Sequence, residues 1–247
     1  MADLFASVEM ALGYARSRPP LHALILERAC APSAPAGRAL DLGCGSGLST
    51  APLLRYARHV TGLDPNVKML RVAAGVAPGA AYVAAAAEEM PFPEGCFDLV
   101  AAAGSLNFTD FDRSFPEVRR VLAPSGRLLI YDFAMGCEFP DSEALAAWHD
   151  EFKRRYPSPP ARAIDPPSLD VAPYGLRLDL HDPFTLSLTL PPAFYLDYAM
   201  TETNVSSAIA AGTPEAVIRH WCETTLAPVF DARPREVLFR GYAATCR

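Results

Sequence analysis

Residues 39–49 read Ala-Leu-Asp-Leu-Gly-Cys-Gly-Ser-Gly-Leu-Ser: an apolar run broken only by Asp41, then glycines on alternate positions at Gly43, Gly45 and Gly47, then an apolar stretch through Leu53 and Leu54. A buried strand that enters a glycine-rich turn and leaves as a helix is the unit with which open α/β sheets hold nucleotides at the carboxyl ends of their strands. Glycines let the backbone turn tightly and approach a ligand where any Cβ would collide. A dinucleotide fingerprint asks for a small residue three positions after Gly45, but Leu48 stands there, and the pattern is instead D-x-G-x-G-x-G. A carboxylate at Asp41 would repel a pyrophosphate, whereas it can help hold an ammonium such as that of S-adenosylmethionine. A second acid, Asp64, closes His59-Val-Thr-Gly-Leu-Asp 21 residues after Gly43, where a strand-end carboxylate can accept both ribose hydroxyls.

Working outward, short apolar runs alternate with amphipathic stretches from Gly37 to Tyr131: Arg38-Ala-Leu-Asp-Leu, His59-Val-Thr-Gly-Leu-Asp, Ala81-Tyr-Val-Ala, Phe97-Asp-Leu-Val-Ala-Ala-Ala and Arg127-Leu-Leu-Ile-Tyr-Asp. Continuous apolarity marks strands buried on both faces, as in a parallel sheet. Phe111, Phe115, Val118 and Leu122 fall on one stripe of a helix whose other face carries Asp112, Arg113, Arg119 and Arg120. Repeated β-α units predict an open, doubly wound α/β sheet. Before this core, residues 1–33 read as helical, with Pro19-Pro20 introducing a second apolar stretch. After it, Leu145, Trp148 and Phe152 mark a helix, and Tyr156 to Pro173 holds six prolines without periodicity, predicting a loop or lid. Phe184 to Leu190 alternates strictly, as a strand with one buried face does. Thr213-Pro214-Glu215 reads as an N-cap, an N1 proline and a first-turn acid of a helix, and Val237 to Ala243 reads as a last strand.

The chain has 247 residues, 51% of them apolar and 20% charged, with a net charge of −6. That is enough for one sizeable core, and it excludes a disordered tail or a small disulfide scaffold. Without a global positive field, nucleic acid and anionic membranes are poor candidate partners. The six cysteines are scattered, with no zinc spacing, so they read as reduced thiols of a cytoplasmic protein and no metal is expected. No apolar run approaches a membrane span.

The stretch from Asp41 to Tyr131 resembles the core of the class I S-adenosylmethionine-dependent methyltransferases, of the group that includes the ubiquinone/menaquinone-biosynthesis and trans-aconitate enzymes. Four segments carry the resemblance in order: DLGCGSG at 41–47, GLDPNVKML at 62–70, AEEMPFPEGCFDLV at 87–100 and FPEVRRVLAPSGRLLI at 115–130. It implies a Rossmann-like seven-stranded sheet, mostly parallel with an antiparallel C-terminal strand, helices on both faces, and S-adenosylmethionine as cofactor. By the same resemblance Asp41, Gly43, Cys44, Gly45, Gly47, Pro65, Met69, Ala103 and Ser105 belong to the cofactor site. Asp64 holds the ribose, Ala86, Ala87 and Glu88 lie beside the adenine, and Tyr14 and Arg18, from Tyr-Ala-Arg-Ser-Arg-Pro, fold over the cofactor. Pro124-Ser125-Gly126 departs from the group's Pro-Gly-Gly, which alters a turn, and Ser105-Leu106-Asn107-Phe108 departs from its His-Trp, which bears on substrate contacts.

The expected arrangement is a single domain over 1–247: a helical cap at 1–33, a cofactor core at 34–134, substrate and lid elements at 135–235, and a terminal strand at 236–247. The expected function is methyl transfer to a small-molecule acceptor at oxygen, carbon or nitrogen. Candidate catalytic groups are His22, Asn107, Tyr131 and Asp132, while Arg16 and Arg18 are candidates for a carboxylate. Phe139, Trp148, Tyr156, Tyr174, Phe194, Tyr195 and Tyr198 would suit a lidded, partly apolar pocket. The rival readings are a non-catalytic cofactor-binding protein and a nicotinamide-dependent oxidoreductase.

Overall fold

Side-chain alternation along the central strands sets the layering. The computed structural model describes residues 8–30, 35–158 and 164–247. Its strands are β1 (Ala36–Leu42), β2 (Ala57–Leu63), β3 (Ala81–Val83), β4 (Phe97–Ala103), β5 (Leu122–Phe133), β6 (Leu178–Leu190) and β7 (Arg235–Cys246). Ala39, Leu99, Ala101, Leu129 and Tyr131 point to one face of the sheet. Their chain neighbours Leu40, Leu42, Val100, Ala102, Leu128 and Ile130 point to the other. Both sets are buried, so the sheet needs a helical layer on each side.

The first layer contains α2 (Leu21–Cys30), α3 (Thr50–Leu53), α6 (Ala144–Arg155), α7 (Pro192–Ala199), α8 (Thr203–Ala210) and α9 (Glu215–Phe230). The second is built on α5 (Phe111–Val121), whose Phe111, Phe115, Val118 and Val121 face the sheet. Asp110 caps α5 by accepting from the Asp112 amide at 3.1 Å, and Arg119 and Arg120 stand in its last turn, each a favourable match to the helix dipole. Outside these layers, α1 (Val8–Ser17) packs against α4 (Val67–Val76) through Ala11, Met69 and Val72.

The strand order is β3-β2-β1-β4-β5-β7-β6. β1 to β5 are parallel, while β7 runs antiparallel between β5 and β6. The seven-stranded sheet, with its reversed C-terminal strand and helices on both faces, is as expected. The order reverses direction beside β1, and the crevice above a strand-order switch is where such sheets bind ligands.

Several local expectations are corrected. Pro124-Ser125-Gly126 is a bulge within β5: Phe97 pairs with Leu122 and Leu99 with Arg127, so extra residues loop out opposite Asp98. At the start of α9, Pro214 takes the N-cap position, one residue later than Thr213, and no side chain caps the helix. α7 and α8 had no counterpart in the sequence reading. Residues 1–7 and 31–33 of the helical cap and residue 34 of the core lie outside the described residues, as do 159–163 of the proline-rich segment. The rest of that segment packs under the sheet: Ile164, Val171 and Leu176 are buried against Ile130, Leu128 and Cys246. Tyr174 stacks on Phe115 with ring centroids 5.2 Å apart and donates its hydroxyl proton to Asp112 at 2.6 Å. Residues 164–174 therefore pack against the α5 face, which favours the loop over the lid of the two readings given for 156–173.

Candidate functional site

The turn after β1 is shaped by contacts that only glycine permits. Gly43 has φ +70, and a Cβ there would stand 2.4 Å from Ser105 Cβ; Gly47 has φ +86, and a Cβ would meet Ala73 Cα at 3.0 Å. The Gly43 and Cys44 amides both donate to Leu63 O, at 2.8 and 3.0 Å, tying the turn to the end of β2. Ser105 Oγ donates to Leu42 O at 2.5 Å, tying it to the segment after β4. Cys44 is buried, and burial pushes its thiol well up, so it stays protonated.

Asp41 is fully buried. Its Oδ2 accepts from Ser49 Oγ at 2.7 Å and Thr50 Oγ1 at 2.6 Å, while Oδ1 is buried without a partner. Burial outweighs the two hydroxyls, and with Asp64 nearby it pushes the carboxyl up to about 6. Asp64, just beyond β2, accepts from the Gly45 amide through Oδ2 at 2.9 Å and from the Asn66 amide through Oδ1 at 2.8 Å. Its carboxyl is also raised, chiefly by burial. Asn66 caps α4, accepting from the Lys68 and Met69 amides, and so turns the chain away directly beyond Asp64.

These elements enclose one cleft of about 740 Å³. Its walls include Gly43, Cys44, Gly45, Asp64, Pro65, Met69, Ala86, Ala87, Glu88, Ala103 and Ser105 from the core, with Tyr14, Arg18 and His22 from the N-terminal helices. The structure thus brings together all but two of the residues expected around a cofactor. Asp41 and Gly47 are the two that do not line the cleft; they lie behind the turn and shape it. Glu88 Oε1 accepts from the Asp110 amide at 2.9 Å, which joins the cleft wall to the start of α5.

Arg18 lines the cleft from the segment between α1 and α2. Its guanidinium lies 4.4 Å from the Tyr14 ring centroid and 5.2 Å from that of Tyr198. It pairs with Glu202 at 2.9 Å and donates to Thr201 O at 3.2 Å, so its charge is already balanced. Arg16 is exposed and does not line the cleft.

Of the candidate catalytic groups, only His22 lines the cleft. Its Nδ1 lies 3.0 Å from the Tyr131 hydroxyl. Burial and the Arg18 charge hold its imidazole down to about 4, so it is neutral at pH 7. Tyr131 is 1% exposed and its phenol is pushed far up by burial. Asn107 Nδ2 donates to Asp132 Oδ2 at 2.9 Å, and the Phe133 amide donates to Oδ1 at 2.8 Å. That pair is packed beneath Gly104, where a Cβ would meet Asp132 Oδ1 at 2.9 Å. Burial raises the Asp132 carboxyl.

The aromatic side chains expected around a pocket are core instead. Phe139, Trp148, Tyr156, Tyr195 and Tyr198 are buried and Phe194 packs on the same cluster; with Tyr174 stacked on Phe115, none of them lines the cleft. Sequence reasoning missed Thr201, Thr203 and Ser206 before and within α8, and Phe108, all of which do. Phe108 is 51% exposed, and an isolated phenylalanine after a strand end carries no periodic signal. Among the described residues no cluster of three potential metal ligands occurs, and no helix is long and apolar enough to cross a membrane.

Residues 40–130 match the methyltransferase domain family, over β1 to β5 and the walls they carry. Over that stretch, which is less than half of the chain, the sequence is similar to a methyltransferase domain. The ubiquinone/menaquinone biosynthesis C-methyltransferase UbiE of Vibrio vulnificus is 37% identical over 129 residues, 48% of this chain and 50% of that protein. An uncharacterized methyltransferase of Mycobacterium bovis is 39% identical over 95 residues, 38% of this chain and 39% of that protein. The chain spans about half the length of the first of these relatives or less of the second. Among solved structures, a candidate type II methyltransferase from Anaeromyxobacter dehalogenans superposes with a TM-score of 0.71 at 24% identity, covering 92% of this chain and 95% of that one. Phosphoethanolamine N-methyltransferase 2 of Haemonchus contortus, in complex with S-adenosyl-L-methionine, gives 0.56 at 20% identity, covering 97% of this chain and 57% of that one. These two likenesses establish the methyltransferase domain's fold. The walls built from His22, Thr201, Thr203 and Ser206 lie outside the matched 40–130.

Proposed function

We propose that the chain transfers the methyl group of S-adenosylmethionine to a small-molecule acceptor. The observation that carries this reading is the pair of carboxylates at the glycine turn, each with acceptor capacity left over. Asp41 Oδ1 is buried behind the turn without a partner, so its negative charge acts on the ammonium of the cofactor's amino-acid portion from behind the turn and not by direct contact. Each Asp64 oxygen accepts one backbone amide, and a carboxylate oxygen has a second lone pair to offer a ribose hydroxyl. Ala86, Ala87 and Glu88 are placed to flank the adenine, and Tyr14 and Arg18 to cover the cofactor.

When bound, the cofactor supplies a methyl group already activated on a sulfonium. The remaining work of the site is to align the acceptor and exclude water. Arg18, held to Glu202 and Thr201, lies over the Tyr14 ring, and both side chains line the cleft. His22 is uncharged at pH 7 and so adds no further cation to a cleft that accommodates a sulfonium. The described residues that line the cleft carry two cations, Arg18 and Lys68, and two carboxylates, Asp64 and Glu88, and the chain's net charge is −6. This balance favours a small acceptor over a nucleic acid. The six free thiols fit a reducing compartment such as the cytoplasm. The name of the Vibrio relative makes a carbon acceptor one candidate, alongside oxygen and nitrogen.

The test is calorimetric titration with S-adenosylmethionine, S-adenosylhomocysteine and NAD, followed by an acceptor screen that measures S-adenosylhomocysteine formed. Micromolar binding of the first two, about −8 kcal/mol, and turnover of one acceptor are expected. Binding of NAD alone overturns the reading in favour of an oxidoreductase. Tight cofactor binding with no turnover across the screen points to a non-catalytic binding protein.

A further inference from the structure

His22 stands on the wall of the cleft supplied by the N-terminal helices. Its contact with Tyr131, Nδ1 to hydroxyl at 3.0 Å, admits a donor on either side, and burial decides between them. Tyr131 is 1% exposed, and its hydroxyl has no other hydrogen-bond partner among the described residues. If Nδ1–H donated, the phenolic proton would be left without an acceptor in the interior. With the phenol donating, the phenolic proton and Nδ1 satisfy each other, and the remaining proton is left on the other nitrogen of a residue that lines the cleft. Nδ1 is then an acceptor, and the single proton of the neutral imidazole sits on Nε2.

The ring is also held in orientation. Tyr131 and Phe133 meet it edge-on, with centroids 5.8 and 5.4 Å away. Nε2 has no hydrogen-bond partner among the described residues.

We propose that His22 presents Nε2–H to the acceptor, so that the site takes a molecule with a hydrogen-bond-accepting oxygen next to, or at, the atom methylated: an enolate or phenolate rather than an amine. This deepens the methyl-transfer reading and rests on it. A neutral imidazole can stabilise charge on an oxygen from a buried position, and it does so without placing a cation beside a sulfonium. The acceptor enters as its anion. Its oxygen or adjacent carbon gives an electron pair to the methyl carbon, and the carbon–sulfur bond breaks toward sulfur, leaving a neutral thioether. His22 neither gains nor loses a proton in this step.

The first test does not depend on turnover. Long-range ¹H–¹⁵N NMR of the ¹⁵N-labelled full chain, with His22 assigned from His22→Gln, reads the tautomer directly. The expected result is an Nε2–H ring that does not titrate between pH 5.5 and 8, and whose Nδ1 signal moves in Tyr131→Phe. An Nδ1–H ring, or a midpoint near the ordinary histidine value, overturns the proposal. The second test runs a panel of phenols, 1,3-diketones and primary amines with wild type, His22→Gln and His22→Leu. Gln keeps an N–H donor and Leu does not. For an oxygen-bearing acceptor, kcat/KM is expected to fall about 100-fold in His22→Leu and to recover at least partly in His22→Gln. Equal losses in the two variants, or amines outrunning every oxygen-bearing acceptor, overturn it. If wild type methylates nothing in the panel, methyl transfer itself is in question, and the tautomer measurement still decides the state of His22.

Discussion

Replacing Asp64 by Asn separates what this carboxylate does for the fold from what it does for a ligand. In the protein both oxygens are already engaged, Oδ2 by the Gly45 amide at 2.9 Å and Oδ1 by the Asn66 amide at 2.8 Å. Asn offers one oxygen and one NH2 group, so one of the two backbone amides loses its acceptor and faces a donor. A hydrogen bond to a charged group is worth about 1.5–3 kcal/mol, so stability should fall by about 2 kcal/mol. For a domain of this size that corresponds to a Tm about 4–8 °C lower. The ligand loses a charged acceptor as well. A second contribution of about 1.5–3 kcal/mol should weaken S-adenosylhomocysteine binding by about 10–100-fold. Calorimetric titration at a temperature where both proteins are folded, with thermal unfolding alongside, measures both quantities. A lowered Tm with unchanged affinity would refute the placement of a ribose at Asp64 and leave the carboxylate as a brace of the turn.

Gly43→Ala should destabilise the protein by about 2–4 kcal/mol, the sum of a positive φ and a collision with Ser105, read as a lower urea midpoint. Phe115→Ala removes a fully buried ring that stacks on Tyr174 and should cost about 3–5 kcal/mol in the same assay. His22 is held down to about 4, below its unfolded value, so its neutral form contributes stability that is present above about pH 6.5 and is lost as pH falls toward 4; relative to His22→Gln, wild type should gain at most about 3 kcal/mol over that window. Asp41 acts in the opposite sense: its carboxyl is raised to about 6, so its contribution declines as pH rises from about 4 to 6 and then levels off. Asp41→Asn should remove that decline, about 3 kcal/mol at most, in urea titrations at several pH values.

What was legible in the sequence is what local chemistry dictates. Glycines at 43, 45 and 47 and an acid ending the next strand specify a turn and its neighbour without reference to distant residues. Ala101 and Ala102 show their two-sided burial in the sequence because both faces of β4 are covered. The far wall of the cleft was not legible, and the reason is geometric. Thr201, Thr203 and Ser206 reach it because Arg18, more than 180 residues earlier, binds Thr201 O and Glu202. No periodicity encodes a contact of that range. The aromatic residues misread as pocket lining illustrate the same limit. Trp148 and Tyr156, two of them, pack against Phe152 and Trp221, and composition alone cannot distinguish rings that pack together from rings that await a ligand. Asp41 failed in a more informative way. The sequence identified the right residue but placed it in contact with the ligand, whereas Ser49 and Thr50 draw one of its oxygens into the turn. A carboxylate kept fully buried with one oxygen unpartnered, when Asn could accept the same two hydroxyl bonds, is destabilising for the fold alone. Its retention makes physical sense if the negative charge is needed opposite a cation at the turn, which is the requirement that an amino-acid ammonium would impose.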